Sequence, residues 1–101
     1  MTEASSAEIV VGPPEAQPLR VSAGSNPQSV ASAIAHALYE HRAVTVRAVG
    51  AGSVNQAVKG IAIARGYIAP RGLDLACKPG FTTIDSRDGE ISAIVFFCYI
   101  S

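Results

Sequence analysis

Val49-Gly50-Ala51-Gly52-Ser53-Val54-Asn55-Gln56-Ala57-Val58-Lys59 is the stretch on which the reading of this chain turns. It has the pattern of a strand end, a glycine turn and the start of a helix. Gly50 and Gly52 allow a sharp turn, because a residue without a Cβ reaches positive φ freely. Ser53 and Gln56 have the spacing of a capping box, which predicts a helix beginning at Ser53. A glycine turn that meets a helix N-terminus presents backbone N–H groups and the positive end of the helix dipole, a setting that suits an anion. Gly50, Gly52, Ser53 and Asn55 are therefore anion-binding candidates, with Lys59 one turn further on as support. The same residues equally make an ordinary strand–helix connection, and both readings stand at this point.

Working outward, strand and helix patterns alternate from Pro18 onward. Leu19 to Ser22 predicts a short strand. Asn26 is a good N-cap and Pro27 a good first helical residue. Val30, Ala31, Ile34, Ala35, Ala37 and Leu38 then predict one apolar helix face, ending near Arg42. Val44 to Val49 is the second strand. The second helix, Ser53 to Arg65, is ended by Gly66, with Val54, Ala57, Val58 and Ile61 facing inward and Ile63 outward beside Gln56 and Lys59. A third strand runs from Leu73 to Ile84. Pro79-Gly80 interrupts it, which implies a bulge or an edge position. Asp88-Gly89 signals a hairpin, and Ile91 to Ile100 is a long final strand that is apolar on both faces. Such a strand belongs in the middle of a sheet or at an interface. The order βαβαββ gives an α+β fold: a two-layer sandwich with both helices on one face of a four-stranded mixed sheet.

A length of 101 residues implies one folded domain, here residues 18–101, behind a flexible acidic tail, residues 1–17. The formal net charge is +0, but it is unevenly distributed. The tail holds Glu3, Glu8 and Glu15 and no basic residue, giving −3. The domain holds all eight Lys and Arg against five acids, giving +3. The tail's Ile9-Val10-Val11 cluster is too short to fold alone. No apolar run is long enough to cross a bilayer, and the N-terminus lacks the pattern of a signal peptide. Two cysteines in such a chain fit reduced thiols and a cytoplasmic protein. Cys77 and Cys98 are expected as neighbouring core thiols facing the helices.

With these elements in place the sequence resembles the stage V sporulation protein S family, from Leu19 to about Ile100. Leu19-Arg20-Val21-Ser22-Ala23, Asn26-Pro27-Gln28-Ser29-Val30-Ala31, Asn55-Gln56-Ala57-Val58-Lys59, Ile61-Ala62-Ile63-Ala64-Arg65-Gly66 and Ile68-Ala69-Pro70 carry the resemblance. It implies an Alba-like fold with strand order 1-2-4-3 and a role in nucleic-acid-associated regulation of development, notably sporulation. It brings no catalytic residues. Two departures stand out. Gly24 occupies a loop position where members commonly carry Lys, and the row Ile91, Val95, Phe97 and Tyr99 is apolar where members tend to be charged or polar.

The nucleic-acid-binding candidates are Arg20, Arg47 and Lys78, expected on the face away from the helices, with Lys59 and Arg71 near the second helix. A domain of net +3 implies weak, salt-sensitive binding to DNA or RNA. Ile63, Ile91, Val95, Phe97 and Tyr99 are candidates for an oligomer interface, giving a homodimer or higher oligomer. His36 and His41 lack the i, i+4 spacing of a zinc pair, so no metal is expected. Asp85, Asp88 and Glu90 crowd one turn, where turn chemistry accounts for them. No cofactor, catalytic residue or membrane association is expected. The alternative to nucleic-acid binding is an assembly module that uses the apolar open face of the sheet.

Overall fold

In the computed structural model, which describes residues 17–101, the chain runs β1 (Leu19–Val21), α1 (Pro27–His41), β2 (Ala43–Ala48), α2 (Ala51–Ile68), a 3-10 turn (Ala69–Arg71), β3 (Leu75–Ser86) and β4 (Gly89–Ile100). The acidic segment 1–16, with its Ile9-Val10-Val11 cluster, lies outside the described residues.

Helix α1 forms where its capping chemistry asks. Asn26 Oδ1 accepts from the backbone N–H groups of Gln28 at 2.8 Å and Ser29 at 3.2 Å, and Pro27 occupies the first helical position. At the other end Arg42 adopts a left-handed φ of 67° and its N–H closes onto the Leu38 carbonyl at 2.9 Å. That reversal feeds the chain directly into β2.

Helix α2 departs from its expected start. Its N-cap is Gly50 at φ 89°, without a side-chain capping bond, and Ala51 is already helical. Ser53 is buried inside the first turn, and Gln56 Nε2 donates to the Ser25 carbonyl at 2.8 Å. The capping-box reading therefore fails, for two reasons. The positive φ of Gly50 already turns the chain. The β1–α1 loop also packs over the first turn, so closely that a Cβ on Gly52 would lie 3.0 Å from Ala23 Cβ, and the Gln56 amide serves that loop. The helix also continues through Gly66 to Ile68, which is fully buried and completes its inner stripe.

That stripe is Ser53, Ala57, Gly60, Ile61, Ala64 and Ile68. It is rotated from the expected one. Val58, expected inside, is 49% exposed, whereas Ile63, expected outside, is half-buried against the core. At roughly 100° per residue, Ile63 falls on the Gly60 flank of the helix and Val58 on the opposite flank. Gly60 is where α1 closes in: a Cβ there would lie 2.4 Å from Val30 Cγ1. Contact between the helices, rather than apolarity alone, thus decides which flank is covered.

The strands form one sheet in the order β1-β2-β4-β3, with β1 parallel to β2 and β4 antiparallel to both of its neighbours. The final strand is central, as its two apolar faces predicted. The helices meet the row Val21, Val44, Val46, Ala48, Leu75, Phe96 and Cys98. Ile34, Leu38, Val46 and Ile68 are fully buried there, each contributing about 1.5–3 kcal/mol of apolar burial.

β3 pairs with β4 rung by rung from Leu75↔Ile100 to Ser86↔Gly89. Pro79-Gly80 therefore causes no bulge. Pro79 is accommodated because β3 is an edge strand and its missing N–H costs no ladder bond to a further strand. Since Ser86 and Gly89 close the hairpin, its two-residue loop is Arg87-Asp88, one residue earlier than the Asp88-Gly89 signal suggested, and Gly89 follows at φ 111°. Toward this loop the apolar cover thins, and Phe81 is 81% exposed.

Candidate nucleic-acid interface

Alternation along the strands sends every second side chain to the face opposite the helices. On β1 and β2 that face carries Arg20, Ala43, Thr45 and Arg47. On β4 it carries Ile91, Ala93, Val95, Phe97 and Tyr99, and on β3 Ala76, Lys78, Gly80, Thr82 and Ile84. The register orders them into rungs. Arg20 pairs with Arg47, which pairs with Val95, which pairs with Gly80. Thr45, Phe97 and Lys78 form the next rung, and Ala43, Tyr99 and Ala76 the one beyond.

Arg20, Arg47 and Lys78 are thus brought to one surface, as expected. The two arginines stand side by side on neighbouring strands, and Lys78 stands on the far side of β4. Phe97 lies between them and Tyr99 one rung beyond, both half-buried. Lys78 Nζ sits 5.8 Å from the Tyr99 ring centroid, at the outer range of a cation–π contact. Arg20 and Lys78 are exposed and Arg47 is half-buried.

The remaining basic candidates are elsewhere. Lys59 is exposed on α2, on the side turned away from its buried stripe. The Arg71 guanidinium lies over the Tyr39 ring, 4.4 Å from its centroid. Both belong to the helical layer, so one ligand on the open face cannot engage all five residues. Arg65 is engaged with Asp74, its Nε 2.9 Å from Oδ1. That bond and the charge behind it lower the Asp74 pKa, outweighing a small opposing desolvation.

The apolar row is less open than its sequence suggests. Val95 is 0% exposed, although it belongs to the open face. It lies between Arg47 and Gly80, and the Phe97 ring leans toward Gly80, where a Cβ would meet Phe97 Cε2 at 3.3 Å. Val95 is therefore unsuited to an exposed interface, and Ile63 is largely taken up by the core. Ile91 remains exposed. Thr45 and Thr82 are buried polar residues of the same face. Sequence reasoning missed them, and their parity with Phe97 and Ala93 was the available signal.

At the glycine turn, Gly50, Gly52 and Asn55 are exposed and Ser53 is buried. Asn55 Nδ2 reaches Gln56 Oε1 at 3.4 Å, and the Val54 N–H closes onto the Gly50 carbonyl. Ser53 therefore offers no accessible hydroxyl to an anion, and Gln56 is committed to the loop. His36 and His41 both approach Glu40, at 3.4 and 3.8 Å, from an exposed helix surface. Among the described residues no group of three or more His, Cys, Asp or Glu is placed to hold a metal ion. No helix among them is long and apolar enough to cross a membrane.

Residues 17–101 match the family model described as Stage V sporulation protein S (SpoVS).

Proposed function

The chain belongs to the stage V sporulation protein S family, a family of small sporulation-related proteins, and from that premise we propose that it is a non-enzymatic cytoplasmic regulator that binds nucleic acid on the open face of its sheet. The observation that carries this reading is the grouping of Arg20, Arg47 and Lys78 around Phe97 and Tyr99 on the one sheet face that neither helix covers. Paired guanidiniums suit phosphate oxygens, which they engage through bidentate hydrogen bonds. Aromatic residues on an open sheet offer stacking surfaces to unpaired bases, a combination typical of single-strand recognition. With three cations on the face among the described residues, affinity is modest and falls as salt rises.

The test is fluorescence anisotropy with single-stranded DNA, single-stranded RNA and duplex DNA across a salt series. Replacing Arg20, Arg47 or Lys78 with Ala should weaken binding and flatten the slope of log affinity against log salt by about 0.7 per contact on a single strand, or about 0.9 on a duplex. Replacing Phe97 with Leu should weaken single-strand binding while sparing the salt slope. Equal binding by the parent and the three charge variants at low salt refutes the reading.

A second reading is supported by Phe81. An aromatic side chain that is 81% exposed on the β3–β4 hairpin, with Ile91 exposed on the same arm, suits self-association through that arm as a homodimer. Sequence reasoning placed the interface on Ile63, Ile91, Val95, Phe97 and Tyr99 and overlooked Phe81, which the register puts on the opposite face of the hairpin from Ile91. Sedimentation of the parent and Phe81→Ser tests it, and a parent that stays monomeric at high concentration excludes it.

A further inference from the structure

Cys77 and Cys98 are direct cross-strand partners in the β3–β4 ladder, with both side chains on the helix-facing side. Opposed residues of an antiparallel pair hold their Cα atoms about 4.5–5.5 Å apart, inside the window of about 4.4–6.8 Å that a disulfide requires. The backbone therefore already holds the two side chains opposite one another at closing range, and the Cys98 thiol donates to the Phe96 carbonyl at 3.8 Å. The pair is asymmetric. Cys77 is exposed on the edge strand, whereas Cys98 is fully buried on the central strand. This corrects the expectation of two core thiols: the edge position leaves Cys77 open to solvent.

We propose that Cys77 and Cys98 form a thiol–disulfide site for low-molecular-weight disulfides such as oxidised glutathione, with Cys77 as the entry thiol and Cys98 as the resolving thiol. The Cys77 thiolate attacks one sulfur of the disulfide. The S–S bond breaks, one thiolate leaves and takes up a proton, and a mixed disulfide remains on Cys77. Cys98 then releases its proton to solvent and attacks the Cys77 sulfur, expelling the second thiolate. Two protein thiols are oxidised by two electrons to one internal disulfide, and the small disulfide is reduced to two thiols.

The environment sets the pace. Burial, reinforced by Cys77, pushes the Cys98 thiol up to about 12. Burial acts on Cys98 in the mixed disulfide as well, so near neutral pH little of it is thiolate, and the thiolate is the attacking form. The mixed disulfide should therefore accumulate first, and closure should accelerate about tenfold per pH unit until Cys98 is ionised. The bond staples β3 to β4 one rung from Lys78 and Phe97. The proposal does not depend on nucleic-acid binding.

The experiment treats the reduced full chain with oxidised glutathione at several pH values and follows intact mass with peptide mapping. The expected course is one added glutathionyl group, on Cys77, followed by its loss and a net loss of two hydrogens. Cys98→Ala should stop at the mixed disulfide, and Cys77→Ser should take up glutathione far more slowly. A parent that keeps the glutathionyl group without closing, even at pH 10, overturns the proposal. So does a Cys77→Ser variant that is modified as fast as the parent, or a disulfide that forms only between chains. The pH course of the parent decides the question even where a variant folds poorly.

Discussion

Replacing Gly60 with Ala should destabilise the protein, against the ordinary preference of helices for Ala. In an exposed helix interior the change gains about 1 kcal/mol. At Gly60 the new methyl would lie 2.4 Å from Val30 Cγ1 and 2.9 Å from Val30 Cβ. Rotation about χ1 moves Cγ1 away, but Cβ is fixed to the backbone of α1, so the helices must separate. Overpacking of this kind costs about 1–3 kcal/mol, or more where backbone must move. Because the helix backbones themselves must move, the cost falls at the upper end of that range, about 2–3 kcal/mol, and the balance is a net loss of about 1–2 kcal/mol. Urea denaturation followed by circular dichroism measures it. Gly66→Ala in the same helix is the control, since a methyl there would meet nothing within 4 Å; it should gain about 0.5–1 kcal/mol. Val30→Ala combined with Gly60→Ala should show favourable coupling of at least about 1 kcal/mol, because the clash disappears with the valine. A Gly60→Ala protein as stable as the parent, or additivity in the double variant, refutes the close helix contact.

Three further outcomes are expected. Asn26→Ala removes both capping bonds at the start of α1 and should cost about 1 kcal/mol in urea titrations. Because the Cys98 thiol ionises near 9.0 when unfolded and about 12 when folded, its contribution is fully present below pH 9. It is then lost progressively up to pH 12, at up to about 1.4 kcal/mol per pH unit, and Cys98→Ala should flatten that alkaline decline in denaturation midpoints. Changing Glu3, Glu8 and Glu15 together to Gln moves the net charge from 0 to +3 and should strengthen any nucleic-acid binding seen by anisotropy at low salt; unchanged affinity counts against an electrostatic role for these residues.

The fold was legible wherever local chemistry and tertiary packing asked for the same thing. Asn26-Pro27 marked the start of α1 because the capping bonds are local, and the two apolar faces of β4 placed it centrally because a strand of that kind needs neighbours on both sides. Reading failed where a remote partner decided the outcome. Gln56 serves the carbonyl of Ser25, thirty-one residues away, and nothing at Gln56 itself signals this. The flank of α2 that is covered depends on Gly60, which no hydrophobicity pattern weights. At the candidate interface, strand parity sufficed to bring Arg20, Arg47 and Lys78 to one face. It could not show that Phe97 leans toward Gly80 beside Val95, since that follows from the absence of a side chain on a neighbouring strand.

The strand order also has a consequence for synthesis. β2 and β3 are each hydrogen-bonded to β4 and not to one another, and β4 follows both in the chain. Until β4 is made, the pairing open to the earlier described strands is the three-residue parallel one of β1 with β2, too little to hold a sheet. Helices α1 and α2 can form and touch earlier, but their apolar faces have no platform. Commitment to the native state is thus deferred until β4 inserts between two waiting strands. Until then the edges of β2 and β3 that β4 will cover are open, the condition under which unfinished chains pair with the wrong neighbour. A ribosome stalled before β4 emerges should therefore carry a chain that proteases cut freely, and one released after β4 should carry a chain that resists them.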